Sequence, residues 1–205
     1  MSKTASELAM DLVEEGRAKR LKAATHAAHE RLDKRIMAYK PFADSDGYGR
    51  FLQVQYKFHR DIAALYEDPD LQAALPDLEI RRRWDLIGQD IADLGRRVDM
   101  PQTTPEFEPE AIDFATALGW LYVAEGSNLG AAFLYKAAMT LGFDSERGAR
   151  HLAGHPDGRA QHWRKFTAAL DDINLSESEE QRAFEGAKSA FSRVYQLVED
   201  QFGQA

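Results

Sequence analysis

The 205-residue chain has no cysteine. That removes disulfide cross-links, thiolate metal sites and cysteine nucleophiles together, and it fits the reducing cytoplasm in which the chain is expected to work. No apolar run reaches the roughly 20 residues that span a bilayer. The N-terminal MSKTASELAMDLVEEGRAKR lacks a signal-peptide core, because acidic residues interrupt every apolar stretch. Positive charge is also short: 26 Lys and Arg stand against 34 Asp and Glu, a formal net charge of −8. Neutralising phosphates needs a basic surface, so the balance argues against nucleic-acid binding. Small basic clusters at 17–22 and 81–83 could still meet a small anion or an acidic partner. No Gly-x-x-x-x-Gly-Lys-Ser/Thr loop, no strand followed by Gly-x-Gly-x-x-Gly and no Gly-x-Ser-x-Gly elbow is present, so nucleotide binding and serine hydrolysis lack support. Period-two alternation is missing as well, which leaves no candidate strand.

What is present is helical periodicity. Leu21, Thr25, His29, Leu32 and Ile36 form one stripe of a long helix expected over about 14–38, closed by Pro41. Asp44 or Ser45 caps a second helix expected to run through Tyr66, with Phe51, Gln55, Phe58, Ile62 and Leu65 inside. A short helix follows at 70–75, and another at 79–94 stopped by Gly95. After a Pro- and Thr-containing loop, Pro109 suits a first helical turn leading to Leu141 and Gly142. A Gly- and His-rich loop at 143–158 precedes a helix at 159–173. Ser176 and Glu179 form a capping-box pattern for the last helix, lined by Phe184, Ala187, Phe191, Val194 and Val198. The fold class is all-α, one domain of about six to eight helices with no repeat or linker.

The least ordinary stretch is Gly119–Lys136, GWLYVAEGSNLGAAFLYK. Gly119, Gly126 and Gly130 interrupt a helix-friendly apolar run, and each costs about 1 kcal/mol against Ala in a helix interior. Gly126 and Gly130 are four apart and share a helix face. A bare face admits either a tight helix crossing or a flat partner lying against it.

His29 is the first chemical candidate. A lone His on an apolar stripe is more often a satisfied core residue than a ligand. Lys22, however, lies two turns earlier on the same face, roughly 10 Å away at 1.5 Å per residue. That is about the span from a haem iron to the propionates, so an imidazole and an ammonium at this spacing could serve one haem. A di-iron reading of His26 and His29 fails because no Glu-x-x-His occurs. His151 and His155 sit in the loop and read as loop-ordering hydrogen bonders.

Four blocks, KRLKAATHAAHERLD, PFADSDGYGRFLQVQYKFHRDI, GWLYVAEGSNLGAAFLYK and GARHLAGHPDGRAQHW, together resemble the bacterial haem oxygenase family, most closely the iron-acquisition enzymes of Gram-negative bacteria. The resemblance covers about 19–202. It implies a multi-helix bundle over 13–205, behind a flexible N-terminus of residues 1–12, with haem held between the first long helix and a Gly-kinked distal helix. It implies His29 as proximal iron ligand and Lys22 and Tyr122 as partners of the propionates. Gly126 and Gly130 would keep side chains off bound O2, with Ser127 and Asn128 flanking the haem. Gln55 and His59 would organise distal water, and Arg150 and His151 would extend that network. Animal-type enzymes place an Asp in the distal segment; this chain has Ser127 and Asn128 there, so proton supply falls to Gln55 and His59. A β/δ-cleaving subgroup places lysines where this chain has Met37 and Ala137, which implies the common haem seating and α-meso cleavage. Haem would be substrate and cofactor, and the products biliverdin, CO and ferrous iron. With no flavin or nicotinamide motif, a ferredoxin or reductase must supply electrons. A monomer is expected. A non-catalytic haem carrier or sensor on the same fold, and an all-α adaptor that binds no haem, are the alternatives.

Overall fold

Helix α1, Arg17–Ala38, buries Leu21, Thr25 and Leu32 along one stripe. His29 falls just off that stripe and is exposed, and Ile36 is half-buried. A computed structural model describes residues 16–100, 103–109 and 111–203; the expectation for residues 1–12 lies outside them. Tyr39 caps α1, and Lys40 turns the chain with a φ of 48° before Pro41.

Helix α2, Ser45–Asp61, begins where Asp44 accepts a hydrogen bond from the Gly47 amide at 2.7 Å. It stops five residues short of the expected Tyr66. The chain tightens into a 3₁₀ turn, Ala63–Tyr66, which delivers the Tyr66 ring into the core. Pro69 starts α3, Pro69–Ala74, capped by Asp68. The helix expected over 79–94 is two elements, a 3₁₀ turn Glu79–Arg81 and α4, Trp84–Asp93. The extended backbone at Arg82 separates them. This break lets Arg81 turn inward to Glu125 while Arg82 reaches outward to Glu67 and Asp85. One continuous helix could not divide adjacent arginines that way.

Helix α5, Phe114–Thr140, starts later than Pro109 suggests, because Asp113 is the cap: its carboxylate accepts from the Thr116 amide at 2.9 Å. It runs through Gly126, Ser127, Asn128 and Gly130 without interruption and ends ahead of Gly142, whose φ of 85° suits glycine. The 143–158 loop contains the 3₁₀ turn Arg150–Leu152. Helix α6, Arg159–Asp172, follows, then α7, Glu177–Phe202, with both arms of the Ser176/Glu179 capping box formed.

The last helix organises the molecule. Helices α1, α2 and α5 all pack on α7, while α1 and α5 make little contact with each other. The α5–α7 crossing is close. A Cβ at Gly119 would lie 2.1 Å from the Ala183 carbonyl oxygen, and one at Gly186 would lie 2.4 Å from that of Thr116. The core fills around this crossing with Trp120, Leu118, Leu121, Phe58, Phe166 and Leu197. No helix of the described residues is long and apolar enough to cross a membrane.

Candidate active site

Helices α1 and α5 both lean on α7 with little contact between them, and α6 touches both. On α1 lies His29, whose side chain is 59% exposed. The imidazole stands edge-on to Phe191 of α7 at 5.8 Å and 3.8 Å from the Asp33 carboxylate. Lys22 is also exposed, two turns earlier, and has no carboxylate partner among the described residues. Helix α5 carries unusually exposed apolar side chains, Phe133 at 64% and Leu129 at 43%. Uncovered phenyl and isobutyl groups one turn apart are a surface that a flat apolar ligand would cover.

The glycines separate by role. Gly119 belongs to the α7 crossing. At Gly130 an added Cβ would meet nothing within 4 Å, and at Gly126 it would meet only the Trp163 ring of α6 at an ordinary 3.5 Å. Among the described residues no helix packs against Gly130, so a crossing explains Gly119 and does not explain Gly130. Tyr122 lies on the same stripe as Gly126 and Gly130. Its ring is buried against Trp163 at 5.6 Å, and burial pushes the phenol up to about 12. It therefore stays a neutral donor near pH 7. Ser127 is exposed and donates to the Ala124 carbonyl at 2.7 Å. Asn128 is half-buried, and its main-chain oxygen accepts from Arg159 at 2.9 Å.

Behind the glycine segment lies a polar layer. His59 of α2 is buried, with Gln55 half-buried one turn before it. Burial first, then the charge of Arg83 and the neighbouring His151, push His59 down to about 3, so its imidazole is neutral. His151 is buried too, held by Asp90 rather than free in the loop: Nδ1 lies 2.8 Å from the Asp90 carboxylate. Burial lowers its pKa more than Asp90 raises it. Arg150 pairs with Asp90 and Asp93 on the outer side. His155 stacks on His162 at 4.2 Å and accepts the Asp157 amide, the loop-ordering role expected of it. No group of three or more His, Asp or Glu that could hold a metal occurs among the described residues.

The arginines of the two basic clusters are engaged within the protein, while Lys22 of the first stays exposed. Arg17 is buried, donating to Glu180 and to the Leu170 and Ile173 carbonyls. Arg81 and Glu125 form an ion pair at 3.0 Å with both side chains only 1% exposed. Tyr66 donates to the same carboxylate at 3.0 Å, and Arg81 also donates to the His162 carbonyl at 3.2 Å. Glu125 immediately precedes Gly126, so this pair pins the segment from behind. Arg159 completes the tie by donating to the carbonyls of both Asn128 and Leu152. Sequence reasoning did not identify Glu125, Arg81, Asp90 or Arg159. For Glu125 a signal existed: a carboxylate inside the apolar run WLYVAEG is costly unless paired. The other three announce nothing locally.

Known proteins share this fold. The heme oxygenase family model matches residues 16–200. The heme oxygenase PigA of Pseudomonas aeruginosa is 44% identical over 186 residues, which is 91% of this chain and 93% of that protein. The NO- and CO-bound heme oxygenase of Neisseria meningitidis superposes with a TM-score of 0.87 at 42% identity, covering 93% of this chain and 94% of the other. The heme oxygenase of Leptospira interrogans has the same fold at 15% identity, with a TM-score of 0.70 over 91% of this chain and all of that one. Matches of this length and depth, on an all-helical frame, place the chain in the bacterial haem oxygenase family, enzymes that degrade haem and for which haem is both substrate and prosthetic group.

Proposed function

We propose that one haem binds between α1 and α5, in a cleft formed by their facing sides, with His29 as the iron ligand, and that the chain opens the macrocycle at the α-meso carbon, yielding biliverdin, CO and ferrous iron. The observation that carries this reading is the pairing of an exposed imidazole on α1 with an α5 stripe bare of side chains at Gly126 and Gly130. Bound haem supplies the iron that activates O2 and the ring that is oxidised. Everything else falls to the protein. The Lys22 ammonium pairs with a propionate and the neutral Tyr122 phenol donates to it, which fixes the rotation of the ring. Met37 and Ala137, which cannot pair with a carboxylate, leave that seating without a competitor. Gly126 and Gly130 leave room beside the iron, with Ser127 and Asn128 at the edge. Gln55 and neutral His59 order water there and hand on protons, in place of a distal carboxylate. Electrons come from a ferredoxin or a reductase, and the chain works as a monomer.

Haemin titration followed by a reductant in air tests the reading. Loss of the Soret band with bilin absorbance and CO is expected. A persistent Soret band would leave a haem carrier instead, and no Soret shift on adding haemin would leave an adaptor. His29→Ala should abolish turnover with little change in melting temperature, since the side chain is exposed. Chromatography of the bilin tests regiochemistry: a β or δ isomer as the main product would refute the roles of Lys22 and Tyr122.

A further inference from the structure

Residues 126–130 of α5 have little packing to hold them in place. A Cβ at Gly130 would touch nothing within 4 Å, and Ser127 and Leu129 are exposed. Ser127 donates back to its own helix, at the Ala124 carbonyl. Glycines at 126 and 130 weaken the helix further, so any tie from outside counts for more. Among the described residues, one hydrogen bond joins this segment to another element: the Arg159 guanidinium of α6 donates from Nη1 to the Asn128 carbonyl at 2.9 Å. Trp163, one turn on along the same face of α6, backs Gly126 with its ring.

Arg159 reaches the segment from a fixed base. Gly158, at a φ of 89°, turns the chain so that Arg159 opens α6. Its stem lies beside Gly154, where a Cβ would stand 3.5 Å from Cγ and from Nε. Nη2 donates to the Leu152 carbonyl. Leu152 closes the 3₁₀ turn Arg150–Leu152, and the wholly buried Asp90 of α4 fastens that turn by accepting from the amides of Arg150 and His151 at 3.0 Å each. One guanidinium thus spans two carbonyls, the first on a turn held by α4, the second inside the glycine segment. A planar fork of donors suits that span; a lysine ammonium, a compact charge on a flexible stem, does not.

We propose that Arg159 is a positioning residue for haem breakdown: by bridging the Leu152 and Asn128 carbonyls it fixes where the Gly126–Gly130 segment stands against the haem. It acts through the Asn128 main chain rather than on the substrate. The proposal rests on the reading of Gly126 and Gly130 as the bare face toward haem.

Amide hydrogen exchange of the haem-free protein, read by mass spectrometry, tests the hold directly. Arg159→Met keeps an apolar stem and removes both donors. Exchange over residues 126–133 should quicken at least about tenfold, as expected for loss of a charge-assisted hydrogen bond, while peptides around Gly119 and Gly186 keep the wild-type rate. Arg159→Lys should show most of the same quickening. An unchanged rate in Arg159→Met, a wild-type rate in Arg159→Lys, or an equal quickening along the whole chain, the mark of a merely structural loss, would each overturn the proposal. In the haem-loaded protein, Arg159→Met should slow single-turnover breakdown about tenfold, the scale of loss that a small misplacement near the chemistry brings. Haem affinity should stay within about threefold, because His29 and Lys22 lie on α1. The C–O stretching band of carbon monoxide added to the reduced protein should shift and broaden as the segment moves. An unchanged band or an unchanged breakdown rate would also overturn the proposal. Absence of haem breakdown in the wild type would instead sink the proposed function, and the exchange contrast, measured without haem, would still decide whether Arg159 holds the segment.

Discussion

Two glycine positions in α5, a few turns apart, behave oppositely. Gly119 is packed so tightly on α7 that a methyl group would strike backbone at 2.1 Å; Gly130 faces space in which a methyl group would touch nothing within 4 Å. The first glycine is required by the fold, which closes α5 onto α7. The second is not, and an unforced glycine in a helix interior costs stability. Packing among the described residues gives no reason for a glycine there; the haem face proposed above gives one. Glycine content alone cannot separate the two cases; the neighbours can.

Substitutions should pull the two halves of α5 apart. The largest effect is expected for Gly119→Leu. The fixed α7 backbone leaves no room for any side chain, so the protein should lose cooperative unfolding in calorimetry or accumulate as insoluble material. Next comes Glu125→Gln, at the border of the halves. It strands a buried Arg81 and should cost about 3 kcal/mol or more in denaturant unfolding. A smaller, pH-dependent effect belongs to the polar layer. His59 titrates near 3 when folded against about 6.5 in the unfolded chain. The unfolded chain therefore takes up the proton first, and stability is full above about pH 6.5 and falls as pH drops toward 3. His59→Gln should flatten that fall by about 1 kcal/mol per pH unit between pH 6 and 4. Smallest, and opposite in sign, is Gly130→Ala, which should raise stability by up to about 1 kcal/mol while slowing haem breakdown. If it destabilises the protein instead, the contrast with Gly119 collapses.

Much of the frame was legible because it rests on local signals. Asp44, Gly95, Gly142 and the Ser176/Glu179 box mark helix ends through contacts within a few residues, and each stands where expected. The misreadings lie where a distant partner overrides the local pattern. Nothing in EIRRRWDL says that the chain must break at Arg82; the reason is a carboxylate at Glu125 that Arg81 has to reach. Likewise the Asp113 cap was overshadowed by the more conspicuous Pro109. Lys22 and His29, the residues proposed to meet haem, could be picked out by helical spacing, and both are exposed. The polar layer behind the glycine segment could not. Asp90 and His151 meet across the sequence, and Arg159 reaches back to Asn128. Such pairings exist only once the chain has folded.

The place of α7 ties together two stretches of chain that hardly meet. Helices α1 and α5 make little contact with each other, and both rest on α7. The separation between the face that carries His29 and the face that carries Leu129 and Phe133 is therefore set by a third helix that bears none of these residues. A substitution that shifts α7 would change that spacing at a distance, without altering either face.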